Sequence, residues 1–235
     1  GETLGKFYLN DNRTPVGYDE LPQHLVDALI ATEDARFHRH AGIDARGTLR
    51  AFAYLGKKGG ASTISQQLAR QLFVGVRSKN KLETATQKIK EWVIATRLER
   101  QYTKEEIIAQ YFNIYDFGNN ADGIRSAASI YFDKEPQDLD LKEAAMLVGM
   151  FKNSSLYNPR DHRNPEGTKN RRNVVLAQMA KYGYITQEVK DSLQQTELGL
   201  KYTPQSHNHG IATYFRAYLQ EELKKWANDP NNTKP

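Results

Sequence analysis

Residues 25–42 read LVDALIATEDARFHRHAG, and the rest of the chain is read outward from this stretch. Leu25, Val26, Leu29 and Ile30 recur at the three- and four-residue spacing of one buried helical face, and Leu21 extends it backwards. The apolar run then gives way to Glu33, Asp34, Arg36, His38, Arg39 and His40. Glu33 lies four residues after Leu29 and three after Ile30, so a continuing helix carries its carboxylate on the buried side. Burial disfavours the ionised form of a carboxyl group, which is how a glutamate becomes a useful proton acceptor or donor near neutral pH. Asp34, Arg36, His38 and His40 can supply hydrogen bonds around it. A helix end that simply carries charges fits the same spacing.

Helical periodicity continues through the chain. The spacing predicts helices near 22–35, 44–55, 62–74, 82–100, 104–116, 120–131, 140–151, 165–182, 186–194 and 211–227. Thr63 with Gln66, Thr103 with Glu106 and Asp140 with Glu143 have the spacing of capping boxes. Asn164-Pro165 reads as a cap followed by proline at the first helical position, Gly183 as a stop and Thr186 as a restart. Only KFYLN near the start and LGLKYTP at 198–204 read as extended. There is no βαβ alternation and no internal repeat, so the expected class is mainly α. The polar stretch 195–210 is the expected boundary.

The composition is that of a folded chain: 235 residues, 39% hydrophobic and 26% charged. The net charge of +5 suits phosphates, nucleic acid or an anionic membrane surface and does not choose among them. Zero cysteines exclude disulfides and thiolate metal sites. No apolar stretch approaches the roughly 20 residues that span a bilayer; AAMLVGMF at 144–151 has the length of a core helix. The abrupt start GETLGKFYLN and the polar end NDPNNTKP read as a piece of a longer protein.

Three further stretches carry chemistry. In GGASTISQQLAR (59–70) two glycines lead into a helix start with three hydroxyls, where free N–H groups and the helix dipole favour an anion. Ile64, Leu68 and Leu72 make its expected buried line; Thr63, Gln67, Arg70 and Gln71 make a polar face suited to phosphate or sugar oxygens. An ordinary capped helix after a loop is the alternative. In QKIKEWVIATRLER (87–100) the expected apolar stripe is Ala85, Ile89, Trp92, Val93 and Thr96. Lys88 and Glu91 face the same way, as a phosphate site with an acid beside it or as a plain ion pair. In TKEEIIAQYFN (103–113) the aromatic stripe reads as core, with Asn113 available to orient a loop.

In this order the stretches resemble the peptidoglycan glycosyltransferase family, found in class A penicillin-binding proteins and monofunctional transglycosylases. The family's E-D-x-x-F-x-x-H-x-G is met by Glu33, Asp34, Phe37, His40 and Gly42, and its G-x-S-T-x-x-Q-Q by Gly60, Ser62, Thr63, Gln66 and Gln67. Its R-K-x-x-E is met at Lys88 and Glu91. A fourth motif is met at Tyr111, Asn113, Gly123, Ile124, Ala127, Ala128, Tyr131 and Phe132. A fifth, R-R-N-x-V-L, fits Arg171, Arg172, Asn173, Val175 and Leu176, after a Tyr157-Asn158-Pro159 turn. The resemblance covers residues 18–195. ATYFRAYLQEEL (212–223) is similar to the segment that opens the linker towards a transpeptidase domain. Arg70 stands where the family usually has lysine, Gln87 where it has arginine and Ala109 where glutamate is common; the 54–60 connection is short.

The resemblance implies a mainly α, lysozyme-like large lobe with a small membrane-facing lobe, residues 1–195 forming the glycosyltransferase domain with 1–17 as lead-in, and 196–235 starting a linker. It implies polymerisation of lipid II into β-1,4 glycan with release of undecaprenyl pyrophosphate. Glu33 would be the general base and Glu91 would assist the leaving pyrophosphate, directly or through Mg2+ or Mn2+. Lys88 and Arg70 would neutralise phosphate charge. Asp34, Phe37, His40, Ser62, Thr63 and Gln67 would complete the substrate site. No organic cofactor and no nucleic acid are expected. The implied partners are lipid II, the growing glycan, the outer face of the bacterial inner membrane, other cell-wall synthesis proteins and moenomycin-type inhibitors. A lytic enzyme using the same Glu33, or a lipid II-binding module without turnover, are the alternatives.

Overall fold

The fold is seen in a computed structural model that describes residues 14–53, 62–75, 78, 80–161, 164, 166–204 and 213–228. Ten α-helices run through them: α1 (Gln23–Glu33), α2 (Ala45–Ala53), α3 (Ile64–Ala69), α4 (Lys81–Gln101), α5 (Lys104–Ile114), α6 (Gly123–Phe132), α7 (Leu141–Met150), α8 (Gly167–Lys181), α9 (Gln187–Gln195) and α10 (Thr213–Asn228). Among the described residues there is no strand, only one isolated bridge between Asp116 and Asp122. The mainly α expectation holds. KFYLN lies outside the described residues.

The starts follow their caps. Thr103–Glu106 and Asp140–Glu143 are reciprocal capping boxes, and Thr186 caps α9 through the Val189 N–H. Two expected starts differ. Thr63 accepts from the Gln66 N–H, but the Gln66 side chain turns away to the Gly42 carbonyl and to Lys88, so no box closes. α8 begins at Gly167 with Glu166 as its cap, beyond the expected Asn164-Pro165 start. The helix expected over 62–74 breaks after Ala69, where Arg70–Val74 form one π-helical turn closed by the Gly75 N–H on the Arg70 carbonyl.

α7 is the central helix. Every residue from Glu143 to Met150 is buried, the mark of a helix enclosed on all sides. α1 and α8 pack on it, while α3 packs on α4 and α5. At the end of α7 the Phe151 ring meets Tyr111, Phe112, Tyr115 and Phe117 with centroids 4.5–5.6 Å apart. This aromatic cluster joins the two helix groups into one continuous core. Asn113 clamps the entering chain by exchanging two hydrogen bonds with the Val16 backbone.

Residues 198–204 form neither helix nor strand, and the extended reading breaks at Gly199, whose φ is +74°. They lie on the body: Lys201 and Thr203 donate to the Tyr131 and Ile130 carbonyls, and Leu198, Leu200 and Tyr202 pack against the core. Contacts with the body therefore continue through Thr203. The stripe expected on α4 is corrected. Ile89 and Val93 are exposed, and Glu91, Ala95 and Leu98 are buried instead. Leu72 is exposed too, because the π turn rotates it off the line of Ile64 and Leu68.

Candidate functional site

α1 ends at Glu33 because Asp34 leaves helical geometry, with φ −157° and ψ 72°. Two buried anchors hold the loop that follows. The Phe37 ring is fully enclosed, with the Lys104 ammonium 4.1 Å from its centroid. Asp34, also buried, accepts from the Ile64 N–H at 3.1 Å and faces His40 Nε2 at 3.0 Å. A carboxylate on the first N–H of α3 sits at the favourable end of that helix's dipole. The loop after Glu33 is thereby tied to the start of α3.

Gly42 completes the tie. It has φ +87°, and a Cβ there would stand 2.8 Å from the Ala95 backbone of α4. Only glycine permits both the backbone shape and this approach. The Gly42 carbonyl accepts from the Thr63 hydroxyl at 2.7 Å and from Gln66 Nε2 at 3.2 Å. The first, second and third sequence stretches thus meet around a single residue.

The Glu33 side chain is 16% exposed. Its Oε2 accepts from Gln67 Nε2 at 2.9 Å, and its Oε1 lies 3.9 Å from Arg171 Nη2. Tyr111 stands behind Gln67 and donates its hydroxyl to Gln67 Oε1 at 2.9 Å. Burial, with Glu33 as the next cause, pushes the Tyr111 phenol well above its ordinary range. Arg171 is held in turn by its Nε–H on the Gly149 carbonyl.

A second polar cluster lies along α4. The Lys88 ammonium donates to Ser62 Oγ at 2.9 Å, Gln66 Oε1 at 3.1 Å and Glu91 Oε2 at 2.8 Å. An ammonium has three protons, and all three are used. Glu91 is only 2% exposed. The partner its carboxylate meets is Lys88. A metal at Glu91 does not fit: the donor set is one enclosed carboxylate with an ammonium already bonded to it. Among the described residues no group of three or more acidic, His or Cys side chains could hold an ion.

The expected site residues thus divide. Glu33, Ser62, Gln67, Arg70 and Lys88 remain partly exposed. Asp34, Phe37 and Thr63 are buried and engaged within the protein. His40 joins them, its side chain 4% exposed and paired with Asp34. Arg36 does not turn to Glu33: it pairs with Asp44 at 3.4 Å, in the wall of a cavity of about 500 Å³ that Arg39 and Arg46 also line. His38 is exposed.

Gln87, in the family's arginine position, accepts from the Ser78 N–H. Ala109 is buried in the core. Sequence reasoning missed three contributors. Tyr111 was read as a core ring, without its hydroxyl; a buried tyrosine usually finds a partner for that group. Arg171 carried no role, because its approach to Glu33 is long-range. Lys104 bridges the His40 carbonyl and Glu99, both at 2.8 Å.

The family model described as Transglycosylase matches residues 1–180. The chain is 36% identical over 231 residues to penicillin-binding protein 1F of Bacillus subtilis (strain 168), covering 97% of this chain and 31% of that protein. It is 39% identical over 229 residues to penicillin-binding protein 1A of Escherichia coli (strain K12), covering 96% and 25%. The chain thus spans between a quarter and a third of the length of these relatives. The crystal structure of penicillin-binding protein 1A from Haemophilus influenzae matches with a TM-score of 0.50 at 21% identity, over 94% of this chain and 22% of that one, a likeness of fold alone. The chain belongs to the transglycosylase family.

Proposed function

We propose that this chain is a peptidoglycan glycosyltransferase that polymerises lipid II, with Glu33 as the general base. The observation that carries the reading is the Glu33 carboxylate, partly exposed at the end of α1 and held from behind by Gln67 and Arg171. A fixed and partly desolvated acceptor suits proton removal, a contribution of roughly 10²–10⁴-fold.

In the proposed step the 4-hydroxyl of the acceptor's GlcNAc attacks C1 of the donor sugar. Glu33 takes the hydroxyl proton as the new C–O bond forms. The bond from C1 to the pyrophosphate breaks, and undecaprenyl pyrophosphate leaves with the electron pair. Attack from the face opposite the leaving group inverts C1 and gives a β-1,4 linkage. Arg70 and Lys88 balance the charge gathering on the pyrophosphate. The three bonds of Lys88 set how: a phosphate oxygen takes the place of the Ser62 hydroxyl, while Gln66 and Glu91 keep the ammonium aimed.

Leu72, Phe73, Leu82, Ile89 and Val93 are exposed at the end of α3, in the π turn and along the first half of α4. They support contact of this part of the molecule with the membrane that carries the lipid substrate. No helix among the described residues is long and apolar enough to cross a membrane. α10 exposes Tyr218, Leu219, Leu223 and Trp226, which supports the reading of its segment as the start of a linker towards a further domain.

The test is incubation of the chain with purified lipid II and, separately, with finished glycan strands. Polymer from lipid II with intact glycan supports the transferase. Cleavage of glycan without polymerisation would replace it with a lytic enzyme, and lipid II binding without turnover would replace it with a binding module.

A further inference from the structure

We infer that Tyr111 sets the orientation of the Gln67 amide and through it the state of Glu33, which makes Tyr111 a positioning residue of the reaction. The inference rests on the reading of Glu33 as the base. A glutamine side chain is nearly symmetric in shape, and its two ends are opposite in hydrogen bonding: the oxygen accepts and the nitrogen donates. Gln67 stands between two groups that need opposite ends. An ionised Glu33 only accepts, so it needs the nitrogen. If Gln67 turned over, its oxygen would face the carboxylate and two acceptors would oppose each other.

The Tyr111 hydroxyl disfavours that alternative, because a turned Gln67 would present N–H donors to it and take away the acceptor of its buried proton. It donates to Gln67 Oε1 at 2.9 Å, and Gln67 Nε2 then donates to Glu33 Oε2 at 2.9 Å. The phenol is fully buried, and its ring is packed 4.8 Å from the Phe151 centroid, so the hydroxyl has a fixed place. A Glu33 carboxylate held in this way keeps one oxygen against Gln67 and leaves the other beside Arg171. The device spans three helices, α1, α3 and α5, and turns a fixed hydroxyl at the core into a fixed carboxylate at the surface of the site. Among the described residues, the charged and titratable groups placed around Glu33 include the Arg171 guanidinium and the hydroxyls of Tyr111 and Tyr115, with Arg70 also acting on Tyr111.

The experiment compares the chain with Tyr111→Phe and Glu33→Gln in lipid II polymerisation across a range of pH. Tyr111→Phe removes one hydroxyl and keeps the ring. A hydrogen bond to the ionised form of an acid favours that form, so without a reliably oriented Gln67 the acid limb of kcat moves to higher pH. The expected kcat at neutral pH falls on the order of tenfold while KM for lipid II stays within about twofold. A merely structural role for Tyr111 would lower activity by the same factor at every pH, and that outcome overturns the inference. Parent-like kcat in Tyr111→Phe beside an inactive Glu33→Gln overturns the inference and leaves the base assignment standing. An active Glu33→Gln overturns the base assignment, and the inference with it.

Discussion

Replacing Gly42 by alanine perturbs the point at which three sequence motifs meet, and its cost can be worked from the structure. Gly42 has φ +87°, a left-handed conformation that costs an L-residue about 1–2 kcal/mol. The added Cβ would lie 2.8 Å from the Ala95 carbonyl carbon and oxygen and 3.0 Å from the Thr96 nitrogen. These are backbone atoms of α4, so no side chain can swing aside. Forcing such a contact into a packed interior costs about 1–3 kcal/mol more. The sum is about 2–5 kcal/mol, which lowers the melting temperature of a domain this size by on the order of 10 °C. Relief requires the loop and α4 to separate. That motion draws the Gly42 carbonyl from Thr63 and Gln66 and so unseats the start of α3, which carries Gln67. Activity should fall further than the loss of folded protein explains. Scanning calorimetry with polymerisation assays well below the melting point measures both. A variant melting within about 1 °C of the parent would refute the argument from close approach.

Two further predictions follow from the buried groups. Lys88→Met leaves the Glu91 carboxylate enclosed without its cation, at a cost of about 3–5 kcal/mol in denaturant unfolding. Adding Glu91→Gln to that variant should restore part of the loss, and a double variant no more stable than Lys88→Met would sink the ion-pair account. Alkaline stability should decline from about pH 10 upward. Burial raises Tyr111 and Tyr131 above their ordinary value and takes Tyr115 to about 12. Between the unfolded and folded values the unfolded chain has released protons that the folded chain retains, so each step up in pH favours unfolding. Ultraviolet titration should show these phenols ionising together with unfolding; ionisation in the folded protein below pH 11 would contradict their burial.

Much of this molecule was legible in its sequence because its helices announce themselves. The spacing of Leu25, Val26, Leu29 and Ile30 gave α1 and the place of Glu33 at its end. Thr103, Asp140 and Thr186 marked three helix starts correctly. Periodicity failed on α4, where Ile89 and Val93 repeat as a core stripe would and yet face outward. Apolar spacing identifies a helix with two faces, and it does not say which face is buried and which stays exposed. The break after Ala69 was equally hidden, since a π turn carries no proline or glycine to signal it.

The site was legible as a set of residues and not as a set of roles. Asp34, Phe37, His40 and Thr63 are engaged between the loop after α1 and the start of α3. Burial, which the sequence does not print, separates them from Glu33, Ser62, Gln67 and Arg70. Arg171 reaches Glu33, and Tyr111 reaches Gln67 behind it, from helices far along the chain, and no local spacing relates them to it.

The central claim is tested most directly by Glu33→Gln, a change that keeps the size and the capacity to meet Gln67 while removing the proton acceptor. Polymerisation of purified lipid II should fall by roughly 10²–10⁴-fold, with the melting temperature and lipid II binding close to those of the parent. Polymer formed by Glu33→Gln at the parent's rate would contradict the account and would send the search for the base elsewhere in the cleft.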